Sequence, residues 1–309
     1  YTRAGQFRMN DNGKVQAITG EVLQGNSITN GVASNTTENI DLAGVQSLPQ
    51  ATTTFELGAN LNSAATATST FNSPITIYNS VGNQNLLNVQ FTKDATANKW
   101  SYAITTSNGT ITSGASGTVT FGTNGQLTQI GTGSTLADQT IVVNYSSSTP
   151  VADEQTLTWD VATAAGASSG KLTGFAAASN NNSVTQNGYS TGSLVSLNVD
   201  SKGIIKGLFS NGQTSSLYQV AMADFLAPTG LTRQGSNLFA ESATSGQAVI
   251  GTATTGGFGT IIGQSLELSN VDLAEQFVAL IQSQQAFQAS ARMITTTDDL
   301  LTEAVNLVR

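Results

Sequence analysis

The sequence predicts a mainly β protein: a discontinuous inner β-domain, an outer β-domain of sandwich or barrel type inserted into it, and a C-terminal α-helix of the coiled-coil kind. Three observations predict this. Short runs that alternate apolar residues with Ser, Thr, Asn or Gln recur along most of the chain, separated by Asx-Gly and Gly-rich turns. Between about Asn62 and Gln186 this text becomes richer in Ala, Thr, Ser and Asn, and the earlier pattern then resumes. After Gly263 the apolar period changes from two residues to the three-and-four spacing of a helix. The expected boundaries are therefore 1–61 with 187–264 for the inner domain, 62–186 for the insertion and 265–309 for the helical segment.

In the first inner segment, Val15, Ala17 and Ile18 follow the turn Asn10-Asp11-Asn12-Gly13, and Val22-Leu23-Gln24-Gly25 makes a second strand. Asx-Gly steps supply the positive φ that hairpin turns need. The Asp-Asn-Gly run lacks the further spaced carboxylates and closing Glu of a calcium loop, so it reads as a plain turn.

In the insertion, strands are expected at Ile75-Thr76-Ile77-Tyr78, Leu87-Asn88-Val89-Gln90-Phe91, Trp100-Ser101-Tyr102-Ala103-Ile104, Val119-Thr120-Phe121 and Ile141-Val142-Val143. Turn signals lie between them at Val81-Gly82-Asn83, Ser107-Asn108-Gly109 and Thr123-Asn124-Gly125. Alternation of this kind buries one face and wets the other. The Ala/Ser/Asn stretch from Ala162 to Ser183 reads as weakly ordered loops.

In the second inner segment, Leu194 to Val199 and Ile204-Ile205 flank the turn Asp200-Ser201-Lys202-Gly203, and Phe225, Leu231, Leu238 and Phe239 are expected to add core mass. The cluster Gly256-Gly257-Phe258-Gly259 lacks both GxGxxG spacing and a GK[ST] ending, so it reads as a bend.

The C-terminal segment runs from Asn270 to Arg309 without Gly or Pro, long enough for a rod of about 55 Å at 1.5 Å per residue. Ser269 and Asp272 are candidate N-caps, and Glu275 stands three residues after Asp272 in capping-box spacing. Alternating steps of four and three select Leu273, Phe277, Leu280, Gln284, Phe287, Ala291, Ile294, Asp298, Leu301, Val305 and Val308. Nearly all are apolar, which makes the narrow seam of a coiled coil. The other reading is an amphipathic helix docked on its own domain. A seam requires a partner helix, in this chain or another. Tyr1 opens the chain without Met, inside strand-like text, so the expectation is a piece of a longer protein whose missing N-terminus carries that helix.

Composition narrows the function. Only 10% of residues are charged, against about 25% in an average globular protein, and the deficit is made up by neutral hydrogen-bonding residues. The formal charge is −8 and the sequence pI about 4.4, a poor match to nucleic acid, which requires clustered cations. There is no Cys and no His, which removes disulfides, thiol nucleophiles, imidazole bases and His/Cys zinc sites. No apolar run reaches the roughly 20 residues of a membrane span, and no signal peptide opens the chain. Carboxylate pairs such as Asp153-Glu154 and Asp298-Asp299 lie in polar contexts where solvation is the ordinary explanation, and no GxSxG elbow occurs. No catalytic residue, cofactor or metal site is therefore expected.

Three motif groups resemble the flagellar rod and hook axial protein family. Thr2-Arg3-Ala4-Gly5 and Leu23-Gln24-Gly25 resemble its shared strand motif. Ser269-Asn270-Val271-Asp272 and the Gln-rich helix after it resemble its C-terminal signature. Phe225, Gly230-Leu231, Gly235, Asn237, Phe239 and Ser245-Gly246 are similar to an intervening stretch. The insertion, with Ile75 to Asn83 and Asn98-Lys99-Trp100, is similar to the outer domain of the hook members and is lacking in the rod members.

The resemblance implies a non-enzymatic, exported subunit of a helical homopolymer at the bacterial flagellum. It implies a flexible tube that passes torque, with rod, hook-cap, junction and export-apparatus partners. The packing residues would be Leu273, Phe277, Leu280, Phe287, Ala291, Ile294, Leu301, Val305 and Val308. The family's N-terminal helix is missing from this sequence. Left open are a distal-rod member of the same family, and a secreted β-rich adhesin stacking exposed Trp100, Tyr102 and Trp159 on sugar rings.

Overall fold

The computed structural model describes residues 1–133, 135–146 and 151–307, with the side chains of 305 and 307 outside the description. It is mostly β, with several sheets and a C-terminal helix, α1 (Leu273–Leu307). The chain divides into two compact units: Tyr1–Gln6 with Arg233–Phe239 and Ser265–Arg309, and Phe7–Thr232 with Ala240–Gln264.

The larger unit holds two cores. Around the first, one sheet runs Thr110–Ser113, Gln139–Asn144, Gln155–Asp160, Thr54–Asn60, with Leu172–Thr173 and Asn180–Gln186 both pairing Thr54–Asn60. The facing sheet runs Leu127–Gly131, Ser116–Phe121, Lys99–Thr106, Gln84–Lys93, Thr70–Tyr78. The expected alternation is visible residue by residue: Leu87, Val89 and Phe91 are buried, as are Trp100, Tyr102 and Ile104. Period-two side chains on facing sheets interdigitate in this way. Trp159 sits at the centre, its ring 5.8 Å from Phe55, 6.2 Å from Phe91 and 5.5 Å from Tyr102. Trp100, Tyr102 and Trp159 are all buried. The sugar-stacking reading, which needs exposed rings, is thus overturned: these aromatics are core.

The second core is smaller, with Val15, Ile40, Leu42 and Ile205 buried and Leu23, Leu194, Leu197 and Val199 packed around them. It lies on a sheet ordered Val32–Asn39, Gln24–Thr29, Thr214–Asp224, Ile204–Phe209, Gly192–Val199, Gln46–Ser47. Phe225, Leu231, Leu238 and Phe239, expected to add core mass, are only half-buried. They belong to short hairpins and turns of residues 225–240.

One turn design recurs. At Asn10, Asn79 and Asp200 the side-chain Oδ1 accepts the N–H of the residues two and four further on, at 2.9–3.2 Å in each case. The third residue after each is a glycine at positive φ: Gly13 at 79°, Gly82 at 83° and Gly203 at 74°. This is the three-residue hairpin loop closed by a left-handed glycine.

The stretch from Ala162 to Ser183 is more ordered than its composition suggests. Asn60, buried, accepts from Phe175 N–H at 2.9 Å and Thr173 Oγ1 at 3.0 Å, and donates to the Ala177 carbonyl at 3.0 Å. A side-chain amide here does the work of a backbone ladder, holding residues 173–178 so that Asn180–Gln186 can pair the free side of Thr54–Asn60. Thr54–Asn60 lies just before the expected boundary at 62 and Asn180–Gln186 just inside the one at 186, yet both belong to the first core's sheet.

Candidate functional site

The motif residues acquire physical roles in the fold. In the smaller unit, Thr2 Oγ1 donates to the Asn237 carbonyl at 3.0 Å and accepts from Ala4 N–H at 3.0 Å. Tyr1 and Phe239 exchange two backbone bonds, each 2.8 Å. Two motif segments 235 residues apart in sequence thereby meet. Ser236 and Asn237 turn that hairpin at positive φ, 49° and 63°, a conformation Asn tolerates better than most residues.

In the larger unit, Leu23-Gln24-Gly25 sits between strands on both sides. Leu23 receives and donates backbone bonds with Ile40 and Val15, and Gly25 pairs Glu38 and Val220. A Cβ on Gly25 would lie 2.5 Å from the Gln219 carbonyl oxygen and 3.1 Å from Ile40 Cδ1. Only glycine lets the strands close there.

The segments that enter and leave the sandwich form a polar neck. Gln50 and Tyr189 exchange backbone bonds at 3.0 and 2.9 Å. Asn187 Oδ1 accepts from the N–H groups of Thr53 and Thr54. Gln155, buried, donates through Nε2 to the carbonyls of Thr52 (2.6 Å) and Tyr78 (2.9 Å). Nothing in the local sequence marks Gln155, Asn187 or Asn60 as organising residues, because the backbone groups they bind lie 77–134 positions away. The hint available was only that each amide interrupts or borders an apolar pattern.

In the helical part of the smaller unit, Asp272 caps α1: its Oδ1 accepts Ala274 N–H at 2.8 Å and its carbonyl accepts Gln276 N–H at 3.1 Å. Ser269 accepts Val271 N–H at 3.3 Å, outside the helix. Residues 265–272, expected in the helical segment, precede its first turn. Leu273, Phe277, Leu280, Phe287, Ala291, Ile294 and Leu301 lie along α1 and all are exposed. Phe287 is 77% exposed and Ile294 68%. Val305 is helical, with its side chain outside the description, and Val308 lies outside the described residues. No helix is long and apolar enough to cross a membrane among the described residues.

Residues 47–189 match the family profile described as "Flagellar basal body protein FlaE D2 domain", and residues 262–307 match "Flagellar basal body rod FlgEFG protein C-terminal". The first spans the sandwich and its neck, and the second spans α1. The chain is 33% identical over 333 aligned positions to the flagellar hook protein FlgE of Borreliella burgdorferi, covering 99% of this chain and 74% of that protein. It is 32% identical over 331 positions to that of Salmonella typhimurium, covering 99% and 77%. A 124-residue stretch is 46% identical to the FlgE of Helicobacter pylori, covering 40% of this chain and 17% of that protein. Because the similarity runs from the Thr2 hairpin through the neck to the capped helix, the chain belongs to the flagellar hook protein family.

Proposed function

We propose that this protein is a non-catalytic structural subunit of the bacterial flagellar hook, a helical homopolymer acting as a flexible universal joint between motor and filament. The observation that supports this reading is the row of exposed apolar side chains along α1, Leu273, Phe277, Leu280, Phe287, Ala291, Ile294 and Leu301, with Val305 and Val308 continuing the spacing. An exposed apolar stripe of this length is a packing surface. In this reading it pairs with a second helix in the tube's inner layer. The sheet around Ile40 and Ile205 forms a middle layer, and the sandwich around Trp159 faces outward. Export without a cleaved leader, an extracellular position, and rod, cap and junction contacts belong to the same reading. Neutral Ser/Thr/Asn surfaces suit a joint whose subunits slide, since separating buried ion pairs is costly.

The test uses the protein in the form that polymerises. Phe287→Asp and Ile294→Asp each place an unpaired charge in the seam, and should abolish polymerisation while the β-sheets melt as before. Variants that polymerise normally would sink the proposal. So would strong hydrogen-exchange protection along α1 in a dilute monomer, because it would mean that the helix packs on its own domain.

A further inference from the structure

The sequence carries six Asn-Gly steps, beginning at Asn12, Asn30, Asn108, Asn124, Asn187 and Asn211. An Asn-Gly step is chemically labile because the glycine nitrogen, unhindered by any side chain, can attack the Asn side-chain carbonyl carbon. That attack requires a glycine N–H free to lose its proton and an Asn amide free to swing onto it.

The fold removes one or both freedoms at five of the steps. Asn187 is held by Thr53 and Thr54 N–H and by Thr53 Oγ1, while Gly188 N–H donates to Gln186 Oε1. Asn211 Nδ2 donates to Ser47 Oγ at 3.0 Å and the Ser190 carbonyl at 2.8 Å, and Gly212 N–H is bonded to the Phe209 carbonyl. Asn124 accepts from Gln126 N–H, and Gly125 N–H is bonded to the Gly122 carbonyl. Gly13 N–H is bonded to the Asn10 carbonyl at 2.9 Å. Asn108 Nδ2 donates to Asn85 Oδ1 at 3.0 Å, and a Cβ on Gly109 would lie 2.6 Å from the Asn144 carbonyl oxygen.

Asn30-Gly31 has neither restraint. The two residues form the loop between Gln24–Thr29 and Val32–Asn39, with φ of 52° and 78°. Both are exposed. Among the described residues, no hydrogen bond holds the Asn30 side chain or the Gly31 N–H, and a Cβ on Gly31 would meet nothing within 4 Å.

We propose that Asn30 is the site of spontaneous deamidation in the native protein. The Gly31 nitrogen bonds to Asn30 Cγ as the Cγ–Nδ2 bond breaks, and the Gly31 proton leaves with Nδ2 as ammonia. Water then opens the five-membered imide at either carbonyl, giving aspartate or, with the chain rerouted through the side chain, isoaspartate. Either product adds a negative charge to a neutral hairpin tip. Isoaspartate also lengthens the main chain inside a two-residue turn whose flanking residues, Thr29 and Val32, are in register, so the edge strand Val32–Asn39 should fray.

The experiment incubates the native chain, and the same chain unfolded in urea, in mildly alkaline buffer and maps deamidated peptides by mass spectrometry. In the native chain Asn30 should convert first. Asn187 and Asn211 should be at least about tenfold slower, the factor expected if one or two net hydrogen bonds must open beforehand. In urea the spread should collapse, and Asn30→Ser should remove the leading signal alone. Native conversion at Asn30 no faster than at Asn187 and Asn211 overturns the proposal. An unchanged ranking in urea also overturns it, because protection would then owe nothing to the fold.

Discussion

The Tyr145 hydroxyl donates to Gln155 Oε1 at 2.8 Å, a bond between two buried residues that aims the other end of the amide at the carbonyls of Thr52 and Tyr78. Gln155→Leu removes a partner from two carbonyls and a hydroxyl. It should cost about 2–4 kcal/mol, against about 1–2 for Tyr145→Phe, at the usual 1–3 per orphaned buried group, because the Tyr78 carbonyl keeps the Thr52 N–H at 2.8 Å. Urea denaturation of the two variants checks the order.

The same hydroxyl predicts an alkaline limit. Burial pushes Tyr145 from the ordinary 10.0 up to about 12, against a smaller downward pull from Asn85. The fold thus favours the neutral phenol, so its contribution is complete below pH 10 or so and is lost as pH rises through about 12. Denaturation midpoints measured across this window should fall, and Tyr145→Phe should flatten part of the slope. A remainder should persist from Tyr102 and Tyr218, which burial also raises.

Trp159 predicts a contrast between two substitutions. Its ring touches three other aromatics, yet among the described residues its buried indole N–H has no hydrogen-bond partner. Trp159→Ala should cost about 3–5 kcal/mol through the cavity it leaves. Trp159→Phe should cost less than about 1.5 kcal/mol, because it also deletes an unsatisfied donor. Equal losses in the two variants would show that the ring's shape alone matters.

Glycines at positive φ should separate by their surroundings. A Cβ on Gly13 would overlap the Ala43 backbone, whereas one on Gly31 meets open space. Gly31→Ala should cost about 1–2 kcal/mol from the left-handed backbone alone. Gly13→Ala adds a backbone clash and should cost clearly more by thermal melting.

The sandwich is expected to fold alone when cut at the neck. A fragment of residues 50–189 keeps Thr54–Asn60, whose Phe55, Leu57 and Ala59 are fully buried, and should melt cooperatively. A fragment of residues 62–186 lacks that central strand and should show no cooperative transition by circular dichroism. The reverse result would mean that the strand is dispensable.

Much of this architecture was legible because its signals are local. The alternation of Leu87, Val89 and Phe91 and the Asx-x-x-Gly spacing of Asn10, Asn79 and Asp200 each lie within a few residues. The change of period after Gly263 is just as compact. Thr54–Asn60 was not legible as part of the sandwich. It alternates poorly because four successive residues, Leu57 to Asn60, are all buried, and its partners at Thr158–Asp160 and Asn180–Gln186 are remote in sequence. Asn180–Gln186 reads as low complexity and becomes a strand only because that edge is free to receive it. Phe225 and Leu231 misled for the opposite reason: size and hydrophobicity alone suggest core, and both are only half-buried. Spacing alone marks the α1 seam, and Leu273, Phe277, Leu280, Phe287, Ala291, Ile294 and Leu301 are all exposed on it.

The Gln50–Tyr189 bridge has one more consequence. It places the start and the end of residues 50–189 side by side, so a shortcut of a few residues could replace everything between them without moving either flank. A gene with such a joint can lengthen, shorten or exchange the sandwich as a cassette. The Ile40–Ile205 sheet would keep its spacing, because no strand of that sheet lies between residues 50 and 189. The same joint offers an engineer a graft point, where a foreign domain with adjacent termini could be displayed in place of the native one.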